Sequence, residues 1–251
     1  MAELDNKINR VHLLDEIRGI LIIYIVWYHL MFDLTEVFGL NIAWVYSDTM
    51  EYVRIAAVCM FILISGISCN YSKSNVNRGI KTFLWGVVIT FVTLLVMPEQ
   101  IIIFGILHFF GLAMIIGGLL FDKIKKIPAK TGIIISFILF LLTYNLFNGY
   151  IGMFGYEIAL PQFLTNKYFL FPIGFKCEGI FSADYYPIFP WIFMFFLGIF
   201  TGRLIKQNKA PVFFYKSHYK PLAKIGQKTL LIYLIHQPIL VLILYLYFSI
   251  K

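Results

Sequence analysis

The chain has 251 residues, of which 60% are hydrophobic and 14% charged, with 26 phenylalanines and a mean hydropathy of +0.82. No soluble domain can hide that much apolar surface, so these figures exclude a water-soluble globular protein. The net charge of +8 needs no nucleic acid to explain it, because a basic face against anionic lipid accounts for it, although the same face would also draw a phosphate-rich cytosolic ligand.

A hydrocarbon core about 30 Å thick takes roughly 20 apolar residues of helix. Runs of that kind are predicted at about 17–37, 51–70, 80–97, 100–121, 131–148, 186–205 and 228–249. The first begins too late and runs too long for a removable signal peptide, with Arg18 and Asp33 embedded in it. Basic residues then orient the spans. They gather before span one (Lys7, Arg10, Arg18) and in alternate connections: Lys73, Arg78 and Lys81, then Lys123 to Lys130, then Arg203 to Lys228. The intervening connections contain only Lys167 and Lys176. Since Lys and Arg are held on the cytoplasmic side of short loops, the fold class expected is all-α. It is a polytopic transmembrane helix bundle of about seven spans with a cytoplasmic amino terminus, forming one domain over 1–251. A bacterial inner membrane fits this topology.

The one long connection, 149–185, is rich in aromatics, Gly and Pro, unlike a floppy polar linker. It reads equally as a lid over an external pocket or as a plug lying in the interface. The three cysteines, Cys59, Cys69 and Cys177, suggest neither a disulfide framework nor a CxxC metal site.

Ionisable side chains inside spans are costly and normally face the protein interior. In chain order they are His29 and Asp33, Arg54, His108 and His236. His29 and Asp33 are i and i+4, hence on one helical face. There the carboxylate can accept from one imidazole nitrogen while the other points elsewhere, the orientation a general base requires. The structural alternative is a His and an Asp that satisfy each other, with Arg54 a partner for Asp33 or Glu51. His108 lies between Gly105 and Gly111, small residues that admit a helix or a ligand. His236 precedes Pro238, which is expected to kink the last span and release the carbonyl of Leu234. Three histidines among so few polar groups point to one shared site. They lack an HxxxH or HxxH spacing, which argues against zinc or iron, so no metal is expected. A proton-coupled transporter or a small-molecule-binding membrane protein with a buried His/Asp site is the alternative function, although many transporters carry internal repeats and none is visible here.

Five segments, "LLDEIRGILIIYIVWYHLMFDL", "FILISGISCNYSKSNVNRGIK", "IIIFGILHFFGLAMII", "DYYPIFPWIFMFFLGIFTGRL" and "KTLLIYLIHQPIL", together resemble bacterial members of the heparan-alpha-glucosaminide N-acetyltransferase-like family of integral-membrane proteins. The first also resembles the opening helix of the wider membrane acyltransferases that modify sugars. The resemblance implies an acyltransferase that moves an acetyl group from cytosolic acetyl-CoA to an extracytoplasmic sugar amine or hydroxyl. It implies His29 as general base or acyl carrier with Asp33 as its orienter. Arg18, Arg78 and Lys81 would then hold the CoA phosphates, and Arg54, His108, Asp184 and His236 would stand on the acceptor side. The partners implied are acyl-CoA, a saccharide or glycolipid acceptor, membrane lipid and a second copy of the chain in a homodimer, with nucleic acid not among them.

Overall fold

The computed structural model describes residues 11–153, 155–164, 166–209 and 211–250. It is helical almost throughout, as the apolar runs require, because a helix closes its backbone hydrogen bonds within one segment and so can stand in hydrocarbon. The helices are α1 His12–Phe32, α2 Asp48–Ser68, α3 Asn75–Val96, α4 Ile106–Leu119, α5 Phe121–Lys126, α6 Ala129–Thr143, α7 Ile188–Leu204, α8 Lys220–Gln227 and α9 Thr229–Ser249. Among the described residues the one sheet is an antiparallel hairpin of β1 Tyr150–Met153 and β2 Tyr156–Ala159. With the short helical turns that extend several of these helices, six segments are long and apolar enough to cross a membrane: His12–Val37, Asp48–Tyr71, Asn75–Val96, Ala129–Asn148, Ile188–Gln207 and Thr229–Ser249. The protein is an all-α, multi-pass membrane protein. Lys7 and Arg10, two of the basic residues used to orient the spans, lie outside the described residues.

The run expected to span at 100–121 takes a different form. Its helix, α4, has only 14 residues, about 21 Å at 1.5 Å per residue. Residues 101–105 stay out of the helix because their backbone groups are engaged by the end of the long connection. The carbonyls of Ile101 and Phe104 accept from the amides of Ala183 (3.0 Å) and Tyr186 (3.1 Å), and the amide of Ile103 donates to Ser182 Oγ (2.8 Å). The Ile106 amide donates to Asp184 Oδ2 (2.9 Å), so Asp184 supplies one of the acceptors that a helix start otherwise lacks.

The chain divides into two compact units, residues 1–61 with 210–251, and residues 62–209. In the first, α1 lies against α8 with almost no side-chain spacer. A Cβ on Gly19 would run into the Leu222 carbonyl, and one on Gly226 into the Asp15 carbonyl. Glu16 on α1, buried, clamps the approach to α8 by accepting from the Ser217 hydroxyl (3.1 Å) and from the amides of His218 (2.6 Å) and Tyr219 (2.8 Å).

In the second unit α3 crosses α4 at glycines: a Cβ on Gly111 would come within 2.5 Å of Phe83 Cβ, and one on Gly86 within 2.9 Å of His108 Nδ1. The close approach expected around His108 is thus made by a helix. The connection 149–185 is folded down in the same unit. The Tyr185 hydroxyl donates to the Phe171 carbonyl (2.6 Å), the two rings stack at 4.3 Å, and Phe104, Phe171 and Cys177 form a buried cluster beneath them. Burial pushes the Tyr185 hydroxyl above the ordinary tyrosine range. Part of the basic row closes helix ends. Arg203 donates to the carbonyls of Ile124 (3.0 Å), Lys125 (2.9 Å) and Ile127 (2.7 Å), and Lys206 Nζ donates to the Asn70 carbonyl (2.7 Å). Cations there complement the carbonyl-bearing end of the helix dipole.

Candidate active site

The polar side chains of α1 and α9 meet in two adjacent contacts within the first unit. The rings of His29 and His236 lie with centroids 5.0 Å apart, tilted by 57°. Next to them, Gln237 Nε2 donates to Asp33 Oδ1 at 2.7 Å. Because Gln237 follows His236 directly, while Asp33 stands one turn beyond His29 on the same face, the two contacts form successive rungs between the same pair of helices. The Tyr28 ring lies edge-on to His29 at 6.1 Å, and the Tyr233 ring is 5.3 Å from His236.

At Asp33 the helix widens into a π-helical turn, Asp33–Val37. The Asp33 amide points at the carbonyls of both His29 and Leu30, and the Phe38 amide returns to the Asp33 carbonyl five residues back at 3.0 Å. Thr35 Oγ1 donates to the Met31 and Phe32 carbonyls (3.1 and 2.9 Å), which supplies the acceptors that the widened turn leaves poorly paired. Asp33 itself keeps helical backbone angles (φ −61°, ψ −43°), so it stays on the face of His29, and it is 1% exposed.

Hydrogen bonding also sets the chemistry of His236. Its Nδ1 lies 2.6 Å from the Tyr233 carbonyl, and a carbonyl can only accept, so Nδ1 carries the proton. In the neutral ring Nε2 then presents a lone pair. His236 is 7% exposed, and among the described residues Nε2 has no hydrogen-bond partner. The same holds for Asp33 Oδ2 and Gln237 Oε1. Three buried acceptor atoms on three neighbouring residues therefore call for donors from outside the cluster.

This arrangement departs from the one the i,i+4 spacing suggests. Asp33 bonds to Gln237 through Oδ1 and, among the described residues, has no partner at Oδ2, so it does not hold the His29 imidazole. The imidazole that is oriented is His236, by a backbone carbonyl. Arg54 lies against Glu51, with Nε and Nη2 donating at 2.8 and 2.5 Å, as one of the two pairings expected for it. Arg18 lies 2.9 Å from Asp15 on α1. Arg78 and Lys81 are exposed on α3, in the second unit.

His108 and Asp184 also belong to the second unit. His108 is buried between Phe83, edge-on at 5.3 Å, and Phe104, stacked at 5.8 Å, with no partner at Nδ1. Asp184 is the carboxylate at the start of α4. Among the described residues no group of three or more His, Cys, Asp or Glu is placed to hold a metal ion. Gln237 and the Tyr233 carbonyl are the members of the site that sequence reasoning passes over. Gln237 carried a signal, an amide between His236 and Pro238 in an otherwise apolar helix, but one masked by attention to ionisable groups alone.

A helical, multi-pass membrane protein with paired histidines between two of its long helices belongs to the class of membrane proteins that carry a polar site among their spanning helices. The comparison with known proteins narrows this. A family model described as heparan-alpha-glucosaminide N-acetyltransferase, catalytic, matches residues 10–238, and the chain belongs to that family of membrane acetyltransferases. The matched stretch carries α1 from its start and reaches Pro238, so both rungs of the site fall inside it. No curated protein matches the chain, and no solved structure does.

Proposed function

We propose that the protein moves an acetyl group from acetyl-CoA on the cytoplasmic side of a bacterial inner membrane to an amine or hydroxyl of an extracytoplasmic saccharide or glycolipid. The observation that carries this reading is the buried Nε2 lone pair of His236, set beside His29 and flanked by two further acceptor atoms. A nucleophile that must lose a proton as it attacks a thioester needs such a base. The accepting amine or hydroxyl attacks the thioester carbonyl and its proton passes to His236 Nε2. CoA thiolate then leaves and takes the proton from the imidazolium, giving CoA thiol and the acetylated product. His29, one ring away, supplies an N–H donor for the developing oxyanion, while Asp33 Oδ2 accepts from the incoming nucleophile.

Arg18 near the start of α1 is assigned to the CoA phosphates. Arg18 precedes His29 by eleven residues, about 16 Å along the helix, a span that lets one helix serve both donor and acceptor. Purified protein in nanodiscs, given radiolabelled acetyl-CoA and a panel of amino sugars and glycolipids, is expected to release CoA and label one class of acceptor. No CoA release with any acceptor, together with ligand uptake into proteoliposomes without chemical change, would overturn the reading in favour of a transporter.

A further inference from the structure

Gln237 has a place in this site that neither a family match nor its residue type assigns. It is a neutral amide that follows His236 on an otherwise mostly apolar helix, and it gives its Nε2 hydrogen to Asp33, a carboxyl only 1% exposed. That carboxyl stands at the end of α1, where Asp33 keeps helical backbone angles and the π-helical turn begins. The Asp33–Gln237 hydrogen bond is the holding contact across α1 and α9. The His29–His236 ring pair, by contrast, is a contact of tilted rings without a hydrogen bond between them, and so sets no distance by itself.

We propose that Gln237 is a positioning residue: by fixing Asp33 across the α1–α9 contact it sets the register in which His29 and His236 face each other. The inference rests on the acetyl-transfer reading above for its catalytic meaning, while the geometry it describes stands apart from that reading. Gln237 acts through Asp33 and is distinct from the groups that take the proton. A carboxamide suits the task better than a second carboxylate, since it donates to Asp33 without adding a like charge, and better than an apolar side chain, which would leave a buried carboxyl with no protein donor.

The test compares Gln237→Leu, which keeps roughly the side-chain bulk and removes the donor, with the exchanged pair Asp33→Asn/Gln237→Glu, which keeps one amide and one carboxyl with their helices swapped. Both are read in two ways, by acetyl-transfer kinetics and by 15N signals of the histidine rings, assigned with His29→Asn and His236→Asn. Gln237→Leu is expected to lower kcat about tenfold with KM for acetyl-CoA unchanged, the signature of a lost interaction that shapes the reacting geometry, not donor binding. It is also expected to move the ring signals of both histidines, and the exchanged pair is expected to return both kcat and the signals toward wild type. Gln237→Leu with kcat and ring signals at wild-type values overturns the proposal. So does an exchanged pair no better than Gln237→Leu, which also decides the matter where Gln237→Leu fails to fold. If the wild-type protein transfers no acetyl group, the function proposed above falls, and the ring signals alone decide whether Gln237 positions the pair.

Discussion

His236 and His108 are both buried histidines on apolar helices, each with one ring nitrogen that has no hydrogen-bond partner among the described residues, and they sit in opposite surroundings. His108 is enclosed by Phe83 and Phe104 and faces the bare backbone of Gly86. His236 has its other nitrogen bound to a carbonyl of its own helix and stands beside His29, with the Asp33–Gln237 pair next to it. The same contrast runs through the two units. In the unit 62–209, Asp184, Ser182, Arg203 and Lys206 are engaged with backbone groups at helix ends and loops. In the other unit Glu16 likewise accepts from backbone amides, but His29, Asp33, His236 and Gln237 meet one another across α1 and α9 and keep acceptor atoms unspent. A buried ionisable group is therefore informative about function through what it leaves unsatisfied in company, more than through its burial alone.

The sharpest way to break this contrast is substitution of the two histidines. His236→Gln is expected to cut acetyl transfer by at least about 100-fold, the ordinary contribution of a general base, while the detergent-purified protein keeps its thermal unfolding midpoint. His108→Gln should cost far less transfer, and equal losses would erase the distinction between the sites. Next in size is Gly226→Ala, whose methyl has no room against the Asp15 carbonyl. Overpacking of this kind should destabilise by about 3 kcal/mol, seen as a lowered unfolding temperature.

Asp184→Ala tests the backbone-capping role in the other unit. Loss of the acceptor for the Ile106 amide is expected to cost about 1 kcal/mol of stability, measured by thermal unfolding. The smallest effect is expected at Tyr185. Burial raises its hydroxyl above the ordinary value, so the native state favours the neutral form. Its contribution is fully present below the unfolded value near 10 and is lost as pH rises beyond it. The wild type should therefore lose stability above about pH 10, and Tyr185→Phe should flatten that alkaline decline while giving up about 1 kcal/mol for the hydrogen bond to Phe171.

Much of the architecture was legible in the sequence because membrane insertion demands long apolar runs, and six of the seven expected runs became long helices. The run at 100–121 shortened because residues 101–105 pair with residues 182–186, a contact between segments about 80 positions apart that no local pattern announces. His29, Asp33 and His236 were picked out as rare polar groups in apolar helices, and His29 does meet His236. The partner of Asp33 was not legible, because Gln237 lies 204 positions away in the chain and no local pattern pairs the two.

Composition and the order of the apolar runs by themselves determined the membrane class and the helical fold, since transfer of each segment into lipid is a property of that segment's own residues. Five motifs in order pointed to the family. Tertiary structure alone decided that Asp33 serves Gln237 instead of His29, that His236 is the histidine held in a defined tautomer, and that Asp184 begins α4. Hydrogen bonds are short and directional, and residues 33 and 237 acquire a common geometry only when α1 and α9 pack side by side.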